Sequence, residues 1–153
     1  MICTALAEEY NMVREHLNEP LSEWEERGTL YELGTIRGVS GVWTVALVET
    51  GVGNTTAGIE LERAASVFAP DVVLFVGVAG GRKDVALGDV VAGDAVYDFE
   101  SGKDTENCYL PRIKTQPSSH RLVQRAKAVA RRGRWHQRTQ PACPVSPPNA
   151  VVR

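Results

Sequence analysis

The sequence predicts an α/β domain with a mixed central sheet flanked by helices. Short apolar, β-branched runs alternate along the chain with stretches of helical spacing, which is the pattern of helices packed on a sheet. One run, residues 72–76, is apolar throughout, as expected for a strand buried on both faces. It stops at a glycine-rich turn, residues 77–81, where a ligand can approach the backbone closely. Because ligands of open α/β sheets bind beyond the carboxyl ends of the strands, we expect a buried central strand that ends at a pocket.

The first half of the chain is predicted as a strand, a helix and a hairpin. Residues 2–7 form a short apolar run, and helix-like spacing follows until Asn18 and Pro20 stop it. Residues 29–36 and 42–48 alternate apolar and polar side chains well enough for two strands. The two glycines between them indicate a hairpin-like turn.

A second helix is predicted over residues 56–67. Asn54 or Thr55 offers a side chain that can cap its first turn. Pro70 then ends the helix, because proline cannot continue a helical hydrogen-bond ladder, and the central strand follows.

The second half is predicted as a longer, partly polar strand over residues 88–99, an irregular stretch, and a helix from Ser118 or Ser119 to near Gly133. Residues 150–153 have the character of a new element. We therefore expect the amino-terminal part of a larger domain over residues 1–133. A basic, proline-rich segment, residues 134–153, then leads into a remainder or a linker.

Composition and charge exclude several functional classes. The 153 residues are 43% hydrophobic and carry 17 basic and 19 acidic side chains, a balance that does not suit a protein that follows a phosphate backbone. Residues 121–138 are strongly basic but contain no aromatic side chain besides Trp135, so a solvated helix face is favoured over a nucleic-acid interface. No nucleic-acid partner is expected.

The cysteines and the amino terminus favour a cytoplasmic location. Cys3, Cys108 and Cys143 are odd in number and lack metal-type spacing, which indicates free thiols in a reducing compartment. No secretory signal pattern opens the chain, and no apolar run approaches the ~20 residues of a membrane span. Neither a membrane partner, nor a metal, nor a cofactor is expected.

Two stretches resemble nucleotide-binding motifs but lack residues that those motifs require. Residues 50–53 read Thr-Gly-Val-Gly, but the third glycine of a dinucleotide-binding fingerprint is replaced by Thr56. Residues 102–103 read Gly-Lys like the end of a P-loop, but Asp104 replaces the required hydroxyl residue and Tyr97 the leading glycine.

Two carboxylates, Glu8 and Glu9, follow the first apolar run. A carboxylate at the carboxyl edge of a sheet can activate a water molecule or bind a ribose hydroxyl. Acidic residues also favour the first turn of a helix because they interact well with the helix dipole. Position alone favours this second interpretation for both residues.

Taken together, three blocks of residues resemble the purine nucleoside phosphorylase and nucleosidase superfamily. The blocks are Ala5 to Glu9, Glu49 to Asn54, and residues 70–81 continued by 87–91. Their order and spacing are most similar to the methylthioadenosine/S-adenosylhomocysteine nucleosidases and their relatives. This resemblance implies a mixed sheet, partly closed into a barrel and wrapped by helices. It also implies cleavage of the bond between a purine base and ribose, with a small-molecule nucleoside as the partner.

The resemblance also implies site residues. Glu9 matches the carboxylate that positions and activates water, so on this basis it is favoured as catalytic. The residues that match the wall of the nucleoside pocket are Ala5, Leu6, Thr50, Gly51, Gly53, Val78, Ala79 and Gly80. Family members are commonly dimers, trimers or hexamers, which leaves a homo-oligomer open.

Two departures from the family pattern leave alternatives open. Val78 stands where the nucleosidases usually have a small hydroxyl residue, and no Met-Glu pair or later acid follows residue 100 to hold the ribose and protonate the base. A nucleoside-binding regulatory module without turnover is one alternative. A phosphate-dependent phosphorylase is another, with Arg14 and Arg82 as the nearby cations for phosphate.

Overall fold

The computed structural model describes residues 1–98, 101–135 and 149–152. The chain divides into two compact units, Met1–Ala79 and Gly80–Arg153. The first contains β1 (Ile2–Thr4), α1 (Ala7–Arg14), β2 (Asn18–Glu26), β3 (Thr29–Gly38), β4 (Gly41–Glu49), α2 (Asn54–Phe68) and β5 (Leu74–Phe75). The second contains β6 (Val90–Ala92), β7 (Ala95–Asp98), β8 (Gly102–Asp104), β9 (Tyr109–Pro111), β10 (Lys114–Pro117), α3 (His120–Arg132) and β11 (Ala150–Val152).

The first unit is built on a five-stranded mixed sheet in the order β2-β3-β4-β1-β5. Strands β2, β3 and β4 form an antiparallel meander, whereas β1 runs parallel to both β4 and β5. One row of paired residues crosses all five strands: Glu23, Glu32, Leu47, Ile2 and Leu74. The predicted mixed sheet is confirmed.

Apolar clusters cover both faces of this sheet, because successive side chains of a strand point to opposite faces. One cluster joins β4 to α1 and the residues after it, and contains Val13, Leu17, Val45 and Leu47. The other joins β1, β3 and β4 to α2, and contains Cys3, Tyr31, Val48 and Ala64. Each fully buried large side chain contributes about 1.5–3 kcal/mol. The centre of the sheet is therefore well supported where β1 and β4 end.

The second helix differs from its prediction at its first residue. It begins at Asn54, and the N-cap residue is Gly53, with φ of 116° and no side-chain cap. The predicted caps, Asn54 and Thr55, were therefore wrong, because both already lie inside the helix. The helix ends with Ala69 in the left-handed conformation, one residue before Pro70.

Strand β2 was not predicted. Its residues are mostly polar and exposed, and it pairs with β3 at one edge of the sheet. An edge strand with little buried surface does not need apolar alternation, so its sequence has the character of a loop.

The predicted buried central strand was wrong in both length and position. Only Leu74–Phe75 form β5, at the other edge of the sheet, and among the described residues β5 pairs with β1 alone. Leu74 is 42% exposed and Phe75 is 54% exposed. An apolar run indicates a strand that can be buried, but burial also requires neighbours on both sides, which the sequence pattern does not specify.

In the described part of the second unit, the chain forms three small two-stranded sheets and one helix. Strand β6 pairs with β11 in parallel, while β7 pairs with β10 and β8 with β9 in antiparallel fashion. The single strand predicted over residues 88–99 is therefore two strands, and β8, β9 and β10 occupy the stretch predicted to be irregular. Phe99 lies outside the described residues.

The predicted third helix and the last element agree with the structure. Helix α3 has Ser119 as its N-cap residue and Gly133 in the left-handed conformation at its end. Residues 150–152, predicted to start a new element, form β11. Residues 136–148 and 153 of the predicted proline-rich segment lie outside the described residues, and its boundary at residue 133 stays a prediction. No described helix is long and apolar enough to cross a membrane.

Candidate functional site

Glu9 lies just beyond the carboxyl end of β1, in the first turn of α1, and is 8% exposed. Its carboxylate accepts three main-chain hydrogen bonds. The N–H groups of Ala5 and Leu6 donate to Oε2 at 3.0 and 3.1 Å, and the N–H of Val78 donates to Oε1 at 2.8 Å. The carboxylate thus joins the end of β1 to the segment that follows β5.

These hydrogen bonds determine the charge state of Glu9. The N–H of Val78, together with those of Ala5 and Leu6, holds the pKa of the Glu9 carboxyl below its ordinary value. An ionised carboxylate offers about four lone-pair positions, of which the three N–H groups occupy three. About one position is left for a further donor such as a water molecule. Glu9 is therefore an ionised acceptor with a fixed orientation and a small remaining capacity.

Part of this arrangement is ordinary helix capping. Leu6 is the N-cap residue of α1, and its N–H is bonded by the side chain of Glu9, as in one half of a capping box. Capping does not account for Val78, whose N–H comes from a position 69 residues further along the chain. Helix capping therefore explains the hydrogen bond from Leu6, but it does not explain the long-range hydrogen bond from Val78.

Gly77 makes the contact between Glu9 and Val78 possible, a role that the sequence alone did not indicate. A Cβ atom at this position would lie 2.7 Å from Oε1 and 2.9 Å from Cδ of Glu9. Glycine is thus the residue that lets the backbone approach the carboxylate. The sequence shows Gly77 as the first glycine of the turn that ends the apolar run. It does not show that Glu9 lies against this glycine.

Thr50 and the glycines after it form a second turn at the same edge of the sheet. Thr50 is buried, its N–H donates to the carbonyl of Thr4 at 2.8 Å, and its Oγ1 donates to the same carbonyl at 3.0 Å. Gly51 and Gly53 have φ of 74° and 116°, values that favour glycine. Because Thr4 precedes Ala5, this turn is tied to the segment that holds Glu9.

An open groove of about 570 Å³ adjoins the Thr50 turn. Its lining residues come from α1, α2, the β2–β3 turn and the end of β4: Tyr10, Gly28, Thr29, Leu30, Glu49, Thr50, Gly51 and Glu60. Glu60 is already engaged, since it accepts hydrogen bonds from Thr29 Oγ1 and from Arg63, each at 2.8 Å. The groove lies at the sheet edge where β1 and β4 end, as does Glu9.

The structure brings only some of the predicted site residues together. Ala5, Leu6 and Val78 contact Glu9 through their main-chain N–H groups, and the side chain of Val78 is 89% exposed. Ala79 ends the first compact unit and Gly80 begins the second. Within the described ranges, no group of three or more His, Cys, Asp or Glu side chains is arranged to hold a metal ion.

Comparison with known proteins gives a family and a fold. The profile described as "Phosphorylase superfamily" matches residues 1–142. A 5'-methylthioadenosine/S-adenosylhomocysteine nucleosidase from Exiguobacterium sp. is 33% identical over 96 residues, which cover 62% of this chain and 39% of that protein. An uncharacterised protein from Sinorhizobium fredii, y4jS, is 33% identical over 70 residues, 45% of this chain and 17% of that protein.

Solved structures of nucleosidases have the same fold. The 5'-methylthioadenosine/S-adenosylhomocysteine nucleosidase of Neisseria meningitidis, in complex with methylthio-immucillin-A, matches with a TM-score of 0.70 and 22% identity over 99% of this chain and 61% of that one. The Colwellia psychrerythraea enzyme, in complex with adenine, matches with a TM-score of 0.73 and 21% identity over 99% and 58%. The chain therefore spans about three fifths of these structures, and less than half of the curated relatives above.

Proposed function

We infer the function from one premise, which is that this chain belongs to the phosphorylase superfamily. We propose that the protein cleaves the N-glycosidic bond of a purine nucleoside with water. The proposed substrates are of the methylthioadenosine or S-adenosylhomocysteine type, as named for the Exiguobacterium relative.

The observation that carries this proposal is the environment of Glu9. A carboxylate held by three main-chain N–H groups stays ionised at neutral pH and cannot rotate freely. Its lowered pKa makes it a weak base before the reaction begins. We therefore assign to Glu9 two roles, which are to orient the attacking water and to stabilise the positive charge that develops on the ribose.

The reaction resembles glycoside hydrolysis in its physical logic. As the bond to the base breaks, the sugar becomes oxocarbenium-like, and the charge of a nearby carboxylate lowers the energy of that state. Water that is hydrogen-bonded to Glu9 attacks the sugar carbon, and as the new C–O bond forms, the Glu9 carboxylate takes up the proton that the water loses. The bond to the base breaks at the same carbon, and the base leaves with a proton from a donor that is not among these residues. The proposed pocket wall consists of Ala5, Leu6, Thr50, Gly51, Gly53, Val78, Ala79 and Gly80.

Hydrolysis is favoured over phosphorolysis by the position of Arg14. A phosphorylase needs cations free to bind phosphate. The Nε of Arg14 already donates to both carboxylate oxygens of Glu32, at 2.9 and 2.8 Å, so this side of its guanidinium is engaged.

Binding without turnover is the second candidate. The observation that favours it is Val78, whose exposed isopropyl group cannot supply the hydroxyl that the resemblance leads one to expect there. Such a protein binds the nucleoside and releases no base.

The deciding experiment measures release of adenine from methylthioadenosine, with and without added phosphate. We expect release that does not depend on phosphate, and a loss of about a hundredfold or more in Glu9→Gln. Glu8→Gln is the matched control, because it makes the same change one residue away. Strict dependence on phosphate would indicate a phosphorylase, and nucleoside binding with no release would indicate a binding module.

The proposed function also bears on the binding partner and the cellular location of the protein. We propose a small-molecule nucleoside as the partner, with neither a nucleic acid nor a membrane, and leave a homo-oligomer open. A cytoplasmic location is supported by Cys3 and Cys108, which are free thiols in the part of the chain that the structure describes.

A further inference from the structure

Glu32 on β3 makes a hydrogen-bonded cluster with two residues of α1. Its Oε2 accepts a hydrogen bond from the hydroxyl of Tyr10 at 2.9 Å. Its two oxygens also accept from Nε of Arg14, at 2.9 and 2.8 Å. We call Tyr10, Arg14 and Glu32 the Glu32 cluster. It connects the helix that carries Glu9 to the middle of the antiparallel meander.

The Glu32 cluster is more than a solvent-exposed ion pair. The side chain of Glu32 is only 12% exposed, whereas that of Arg14 is 45% exposed. Glu32 also stands directly opposite Glu23 of β2, and like charges in that arrangement repel each other. Tyr10 and Arg14 offset this repulsion, and burial together with the bond to Glu32 raises the pKa of Tyr10.

The position of the cluster on α1 restricts how the helix can move. Tyr10 and Arg14 are four residues apart and therefore lie on the same face of the helix. The helix has only eight residues and no side-chain hydrogen bond from its N-cap residue. A helix this short is marginal on its own, so its orientation depends on tertiary contacts. Contacts from both of its turns to one carboxylate oppose rotation about the helix axis.

Rotation of α1 would move Glu9 directly, because Glu9 is the residue before Tyr10. The Glu9 carboxylate must meet N–H groups from two separate segments, Ala5–Leu6 and Val78. A hydrogen bond weakens steeply once its geometry departs from alignment. A small change in the orientation of α1 would therefore cost the bond to Val78 first, because Ala5 and Leu6 are joined to the helix by a short piece of chain.

We propose that Glu32 is a positioning residue for Glu9. It holds α1, through Tyr10 and Arg14, in the orientation that keeps the Glu9 carboxylate between Ala5–Leu6 and the main chain of Val78. This inference rests on the proposed function only for the catalytic role of Glu9. The geometry that it describes can be tested without any catalytic assay.

The test is carbon-13 NMR of glutamate-labelled protein, which follows the titration of the Glu9 carboxyl, combined with hydrogen exchange of the Val78 amide. In Glu32→Gln we expect the pKa of Glu9 to rise toward its ordinary value, because the hydrogen bond from Val78 is weakened. We also expect Val78 to exchange about fivefold faster. Adenine release from methylthioadenosine should fall mainly in kcat, because Glu9 acts on the reacting water.

Two further variants keep the test decisive if Glu32→Gln is poorly folded. Tyr10→Phe removes one hydroxyl and leaves the ring, so it should produce the same changes in a smaller amount. Glu23→Gln is the control, because it removes one negative charge from the position opposite Glu32 on the neighbouring strand. Among the described contacts, the Glu23 side chain forms no hydrogen bond to α1. We expect it to leave both the Glu9 titration and the Val78 exchange as in the wild type.

The outcomes separate this inference from the proposed function. Unchanged Glu9 titration and Val78 exchange in both Glu32→Gln and Tyr10→Phe would overturn the positioning role, even if activity fell. Equal changes in Glu23→Gln would also overturn it, since they would point to charge alone. If the titration and exchange change as expected while Glu9→Gln retains full activity, the positioning role stands and the proposed function fails.

Discussion

The main-chain N–H of Val78 donates a 2.8 Å hydrogen bond to Oε1 of Glu9, across 69 residues of sequence. This contact connects a residue three positions beyond the end of β5 to the first turn of the helix that follows β1. The two strands, β1 and β5, are parallel neighbours, so their carboxyl ends lie at the same edge of the sheet. The contact is thus a direct product of the sheet topology.

The stability of the first unit should depend on pH through Glu9. Because the pKa of Glu9 is lowered in the folded chain, its contribution is present above the ordinary glutamate pKa, 4.5, and is lost as pH falls through the folded value. Urea unfolding at a series of pH values should therefore show a loss of stability in acid that is smaller in Glu9→Gln. Glu8→Gln should follow the wild-type curve. Coincident curves for the wild type and Glu9→Gln would contradict the prediction.

Replacing Gly77 by alanine should separate Glu9 from Val78. The new Cβ would lie 2.7 Å from Oε1, so the Glu9 carboxylate must move away from its three N–H donors. We expect the titration of Glu9 to shift to higher pH and adenine release to fall at least about tenfold. Gly58→Ala is the control, because a Cβ there meets nothing within 4 Å in the middle of α2, and it should leave activity intact. If Gly77→Ala is fully active and its Glu9 titration is unchanged, the close approach of the Gly77 backbone to the Glu9 carboxylate is not needed.

Replacing Thr50 by valine should weaken the end of β4. The change conserves shape but removes the hydroxyl that donates to the Thr4 carbonyl at 3.0 Å. We expect a loss of about 1 kcal/mol in the free energy of unfolding, measured by urea denaturation. Thr44→Val, at an exposed position within β4, should change stability by less than about 0.5 kcal/mol. Similar losses of stability in both variants would show that the hydrogen bond from the Thr50 hydroxyl to Thr4 makes no special contribution.

Asp89 should hold β6 and β11 together in the second unit. Its Oδ2 accepts from the N–H of Ala86 and its Oδ1 from the N–H of Asn149, each at 2.9 Å, and both bonds lower its pKa. Asp89→Asn replaces one acceptor oxygen by an amide NH2 group, which only donates, so one N–H loses its acceptor. We expect the amide of Val90, which donates to the carbonyl of Asn149, to exchange about tenfold faster.

The control for Asp89 is Asp94→Asn, an exposed carboxylate in the same unit. It should leave the exchange of Val90 unchanged. The effect of Asp89 should also disappear in acid, because its lowered pKa means that its stabilisation is lost as pH falls through the folded value. If the Val90 amide of Asp89→Asn exchanges at the wild-type rate, the backbone hydrogen bonds between β6 and β11 are sufficient to hold the two strands together, and the prediction is wrong.

Local sequence signals were sufficient for the elements with strong periodicity or clear end signals. The β3–β4 hairpin, α2 and α3 were predicted nearly to their ends, because each has a regular pattern and a glycine, serine or proline at its boundary. The polar edge strand β2 and the short strands β8, β9 and β10 lack such patterns. Their pairing depends on neighbours that are distant or themselves irregular, so no local signal was available.

The candidate site shows the same division. The resemblance drew attention to Glu9 and to the main chain around Ala5, Leu6 and Val78, and the family is confirmed. The catalytic role of Glu9 and the pocket roles of the other residues stay predictions. The sequence indicated neither the contribution of Gly77 nor that of Glu32, because each acts through a contact with a residue on another element.

What the sequence by itself determined was the family, the mixed α/β class and the order of its most regular elements. These depend on residue patterns within one segment or on the order of segments along the chain. What only the tertiary structure decided was which groups meet Glu9, and that β5 lies exposed at an edge. Hydrogen bonds and burial are properties of pairs of segments, and they are determined only when the packing of α1 and the pairing of β1 bring those segments together.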